Sequence, residues 1–103
     1  MPMVRVSNGG TIDIHNISII KCSGNTRADV TFNNCDPDRD LIFFCLNDST
    51  PTSYFDSRVT GGTIVADNPN QPYAAWRVYK PNGSTVSYSS GNYQGSWIHI
   101  RFN

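Results

Sequence analysis

The chain has 103 residues and a formal net charge of zero, with eight basic and eight acidic residues. Val, Ile, Thr and the aromatics supply 36 residues and Asn, Gly, Ser, Asp and Pro another 44, against 12 for Ala, Leu, Gln, Lys, Met and Glu together. That excess of strand and turn formers predicts a single all-β domain over 1–103 and excludes a helix bundle, a coiled coil and a Rossmann-type fold; with no basic block, a nucleic-acid footprint is excluded too.

In chain order, Val4-Arg5-Val6 is a short first strand, closed by Ser7-Asn8-Gly9-Gly10. Thr11 to Cys22 is the longest strand pattern. Its apolar parity changes between Ile12, Ile14 and Ile17, Ile19, Ile20, which predicts a bulge near Asn16 or burial on both faces beyond it. Ala28, Val30 and Phe32 alternate with polar residues. Leu41 to Leu46 is apolar on both faces and reads as a central strand. Tyr54-Phe55 and Arg58-Val59 are expected as a short edge strand, and Gly61-Gly62 precedes the stretch Thr63 to Ala66. Tyr73 to Lys80 and Thr85 to Ser90 are expected to form a hairpin about Asn82-Gly83, because both residues tolerate the positive φ of a type I′ turn. That turn sets Tyr79 opposite Val86 and Arg77 opposite Tyr88. Ser96 to Phe102 closes the chain, with Ile98, Ile100 and Phe102 on one face and Trp97, His99 and Arg101 on the other. Short strands between polar turns predict an antiparallel β-sandwich, or alternatively a small Greek-key barrel, of about seven to nine strands.

Three cysteines cannot all pair within one chain, and no Cys-x-x-Cys occurs. Reduced thiols are expected, with Cys45 buried in its apolar run and Cys35 the most accessible unless bridged to Cys22. The longest apolar run, Leu41 to Leu46, is too short for a transmembrane segment. No leader is recognisable at the N-terminus, so the expected location is extracellular if a leader was removed and cytoplasmic otherwise.

Catalytic signatures are missing: no nucleophile elbow, zinc-protease, dinucleotide or P-loop motif occurs, and there is no Glu. The reading is therefore no enzyme. Asp36, Asp38 and Asp40 alternate like the opening of a calcium loop, with Asn33, Asn34 and Asn47 as nearby acceptors, so calcium is the one cofactor to consider. The rest of the EF-hand pattern fails at Leu41 and Asn47. The plainer reading is an Asp/Asn turn balanced by Arg39.

The aromatics carry the functional expectation. If Ile98, Ile100 and Phe102 fill the core, then Trp97, His99 and Arg101 face outward beside Arg77, Tyr79, Tyr88 and Tyr93. Such a surface suits a glycan stacked on rings, or a protein partner anchored by Trp, Tyr and Arg. The leading expectation is a lectin-like, carbohydrate-binding module. The alternative is a structural, self-assembling or effector- or toxin-like protein that binds another protein through the same face, a homo-oligomer included, since zero net charge favours self-association. The competing structural reading buries both sheet faces, one of them in an oligomer or under a loop, and makes Trp97 core. Size and an Asn/Ser/Gly/Tyr-rich texture resemble short β-sandwich lectins and small secreted effectors; that likeness is compositional and assigns no residue a role.

Overall fold

The computed structural model describes residues 3–5, 11–13, 17–26, 29–46, 52–68, 75–89 and 93–103. The strands are β1 (Met3–Arg5), β2 (Thr11–Asp13), β3 (Ile17–Thr26), β4 (Val30–Phe32), β5 (Asp40–Leu46), β6 (Val59–Thr60), β7 (Gly62–Asp67), β8 (Trp76–Pro81), β9 (Val86–Tyr88) and β10 (Gly95–Phe102). Among the described residues one 3-10 helix, η1, covers Thr52–Ser57. The expected bulge near Asn16, together with Val6, Ala28 and Asn47, lies outside the described residues.

Two antiparallel sheets face each other as a sandwich. The larger has five strands in the order β3-β10-β5-β8-β7, and the smaller has three in the order β4-β9-β6; β1 and β2 pair as a separate hairpin. The apolar run Leu41 to Leu46 occupies the middle of the larger sheet, as its two-sided apolarity requires. Its inward residues Ile42, Phe44 and Leu46 are almost fully buried. From the smaller sheet Val30, Phe32, Val59, Val86 and Tyr88 point back at them. The core between is a set of edge-to-face and tilted rings: Phe32 stands 5.8 Å from Phe44 and 5.0 Å from Trp97, and Phe44 4.7 Å from Tyr88. Ring pairs at these separations add to the area they bury.

Three local expectations are corrected. Asn82-Gly83 does not make a two-residue hairpin. Strand β8 pairs with β5 and β7, whereas β9 pairs with β4 and β6, so the turn carries the chain from one sheet to the other. Neither residue adopts a positive φ; among the described residues only Gly61 and Asn34 do. Tyr79 consequently pairs with Ile42 and Ile64 rather than with Val86. The stretch Tyr54-Phe55 is helical, not extended, and drops Phe55 fully into the core at the sandwich end.

The third correction is the largest. On β10 it is Trp97 and His99 that face the core, with 7% and 1% of their surface exposed, while Ile98 and Ile100 are half-buried on the outer side and Phe102 is 42% exposed. The expectation failed because it left the Trp97, His99 and Arg101 face in water: a polar face can turn inward when a buried partner meets its polar groups, so alternation alone does not choose a side. What chooses is the neighbour: the aromatic core accepts an indole, and a carboxylate from β5 satisfies the polar groups that follow it.

Candidate functional site

The inner end of β10 is built around Asp40, whose carboxylate has no exposed surface. Its Oδ2 lies 2.7 Å from His99 Nε2 and its Oδ1 2.7 Å from Arg101 Nε, with Arg101 Nη2 3.0 Å from Oδ2. The backbone N–H of Asp36 donates to Oδ2 at 2.9 Å. Burial alone would raise this carboxyl; the bonds from Arg101, the Asp36 N–H and His99 outweigh it and hold it down at about 2. An ionised carboxylate only accepts, so His99 Nε2 carries the proton of their shared bond.

The 33–39 loop is shaped to deliver this group. Asn34 adopts φ 56°, a left-handed conformation Asn tolerates, and its carbonyl accepts from Arg101 Nη2 at 2.8 Å. Asp36 bonds the Asp38 N–H through Oδ1 and Arg39 Nε through Oδ2, at 2.9 and 2.7 Å. The alternating aspartates thus diverge. Asp36 closes a turn, Asp38 is exposed, and Asp40 points inward. The Asp/Asn turn balanced by Arg39 matches this geometry better than a calcium loop does.

A thiol completes a buried trio, since ligand atoms of Cys35, Asp40 and His99 lie within 4.8 Å of one another. Cys35 is 8% exposed and its sulfur sits 3.4 Å from the Phe32 carbonyl oxygen. Burial first, and then the Asp40 carboxylate, push its thiol upward, away from the thiolate a nucleophile or metal ligand needs. Both Asp40 oxygens already accept from protein donors, and the Arg101 guanidinium stands beside them. The arrangement is that of a structural ion network that pins the end of β10 to β5.

The residues expected on an open aromatic face are therefore distributed through the interior. Trp97, His99, Tyr79, Arg77 and Tyr88 are buried, Arg101 is half-buried on Asp40, and Tyr93 packs on the edge of the core 4.6 Å from Tyr54. Arg77 is held by Asp56 and lies 3.8 Å from Asp67. Burial pushes the Tyr88 hydroxyl up to about 12, and that hydroxyl and Trp97 Nε1 have no hydrogen-bond partner among the described residues.

The open surface is the other side of the larger sheet. Outward from β10 stand Ser96, Ile98, Ile100 and Phe102; from β5, Leu41, Phe43 and Cys45; from β8, Trp76 and Lys80, with Val78 between them on the same side but only 7% exposed. Lys80 is the one charged residue among these. Pairing with β10 places Cys22 beside Ile98 and Ile19 beside Ile100 on the same side. Phe43 is 38%, Trp76 39% and Ile19 63% exposed. Cys22, Phe43, Cys45, Trp76, Val78 and Ile98 line a groove of about 400 Å³.

Cys22, Cys35 and Cys45 are all free thiols, and their accessibility reverses the sequence expectation: Cys22 and Cys45 are exposed and Cys35 is buried. Cys45 falls on the outward parity of its apolar strand, and Cys35 is drawn under the loop by a hydrogen bond from its N–H to the Ser84 carbonyl. Cys22 and Cys45 sit on strands separated by β10 and are offset along it, which places them too far apart to bridge within one chain. Among the described residues no helix is long and apolar enough to cross a membrane. Comparison with protein-family models, with curated proteins and with solved structures found no match to this chain.

Proposed function

We propose that this chain is a non-enzymatic binding module that docks a protein surface on the outer face of its five-stranded sheet. The observation that carries this reading is the outward row itself. A free antiparallel sheet face ordinarily alternates to polar residues, yet here Ile98, Ile100, Phe102, Phe43, Trp76 and Ile19 stand outward around an apolar groove. The interior aromatics, Trp97 among them, are engaged in the core. The glycan reading therefore loses the rings it rested on, and the protein-partner reading keeps its surface by moving to the opposite face.

The test is binding of an apolar fluorescent probe to the native protein, compared with Phe43→Asp and Trp76→Ala. Both residues are more than a third exposed, so the variants are expected to fold. Probe binding by the wild type, diluted until it is monomeric, that is lost in Phe43→Asp supports the reading. No probe binding by the native monomer overturns it. A glycan array on the same protein checks the other class: a sugar that quenches indole fluorescence, and fails to bind Trp76→Ala, would put a carbohydrate on this face instead of a protein.

A further inference from the structure

We infer that the occupant of this face is a second copy of the chain, seated face to face about a two-fold axis. The inference rests on the docking reading above and names its partner.

The face has the size such a dimer needs. Five strands about 4.8 Å apart, and the eight residues of β10 at about 3.4 Å each, describe a surface on the order of 650 Å² per copy. Stable interfaces use roughly 600–1,000 Å² from each partner. Its charge also suits a copy of itself. The outward residues of β10, β5 and β8 include only Lys80, at the C-terminal end of β8, so a partner chosen by charge finds little to read. A second copy brings an equal apolar area, and with zero net charge the two do not repel.

Its shape is self-complementary. The groove lies toward Cys22, Phe43, Trp76 and Ile98, while Ile19 and Phe102, 63% and 42% exposed, project from the β3–β10 end of the same face. A two-fold axis in the interface plane, running across the strands near Ile100, carries Phe102 of each copy onto Ile98 and the groove of the other and sets Ile19, level with Ile100, against its own counterpart, an isologous arrangement in which the Phe102 contact forms twice. The product is two sandwiches stacked sheet on sheet, with mean strand directions about 30° apart. Cys22 and Cys45 line the groove and are covered in this arrangement, whereas Cys35 lies in the core of each copy and is unaffected.

Those thiols make the test. The full chain is sedimented at increasing concentration, and each cysteine's labelling by a thiol reagent is followed by peptide mass mapping, beside Phe102→Asp. Phe102 is exposed, so that variant keeps its fold, and Cys35, unreactive until denaturant is added, reports it. The expected result is a wild-type dimer in which Cys22 and Cys45 label at least roughly tenfold more slowly than in a monomeric Phe102→Asp. A wild-type monomer with reactive Cys22 and Cys45 overturns the second copy while leaving the docking reading intact. A monomer in which both thiols are protected means the chain covers its own groove, and both readings fall. A dimer in which both thiols stay reactive has formed through another surface, and overturns the inference.

Discussion

At the scale of single residues, the fold turns on which side of β10 faces inward. Trp97 is ringed by Phe32 and the rest of the aromatic core, so Trp97→Ala should cost about 3–5 kcal/mol, as large-to-small changes at buried aromatics do. Ile100, half-buried on the outer side, should cost less than about 2 kcal/mol when truncated. Chemical denaturation of both variants checks the order; if Ile100→Ala is the more damaging, the strand faces the other way. Asp40 supplies a second prediction. Its carboxyl is held at about 2 when folded and returns to 3.8 when unfolded, so a depressed folded value favours the native state. That contribution, on the order of 2 kcal/mol, is fully present above about pH 4 and is lost as pH falls through about 2. Asp40→Asn should be less stable at neutral pH and should flatten the acid limb of the stability profile; an unchanged acid limb would show the carboxylate to be idle. These two residues also mark where sequence reading ends. Alternation in β10 was legible, but the sign of it was not, because the group that makes His99 and Arg101 tolerable inside comes from Asp40, 59 and 61 residues away in the chain.

At the scale of elements, strands were easier to read than turns. Leu41 to Leu46 announced a central strand because both of its faces are apolar, although its outer residues Phe43 and Cys45 stay exposed, and Val30 and Phe32 announced their inward side because their neighbours are polar. Asn82-Gly83 looked like a hairpin because it permits one, but permission is not pairing: residue choice limits φ, and the core decides which strands are neighbours. A position that does require glycine is Gly61, between β6 and β7. Its φ is +88°, and a Cβ there would collide with the Thr85 carbonyl oxygen. Its own carbonyl accepts from the Asn82 N–H at 2.8 Å, which ties the two sheet-to-sheet crossings together. Gly61→Ala should therefore destabilise by about 1–3 kcal/mol, from backbone strain and displacement of that tie. Gly24→Ala, where a Cβ meets nothing within 4 Å and φ is ordinary, is the control and should be neutral or slightly stabilising. Equal melting of the two variants would remove the argument.

At the scale of the whole molecule, burial and strand length point in opposite directions, and hydrogen exchange separates them. The larger sheet ends in β3 and β7, the one ten residues long and the other six, yet neither carries a buried side chain among the described residues. The smaller sheet is made of strands of three, two and three residues, but it contributes Phe32, Val86 and Tyr88 to the core. Opening β3 or β7 exposes little apolar surface beyond what water already reaches. Opening β4 from β9 separates the rings of Phe32 and Tyr88 from Phe44 and amounts to unfolding the domain. The paired amides of β3 and β7 should therefore exchange through local openings, whereas those of β4 and β9 should exchange only with global unfolding, together with β5. The measurement belongs on Phe102→Asp, so that a partner copy does not shield β3. Protection that instead follows strand length, high in β3 and low in β4 and β9, would mean that the aromatic core does not join the two sheets into one cooperative unit. It would also undo the reason given for Trp97 facing inward, because an indole buried between sheets that open independently would gain little by being there.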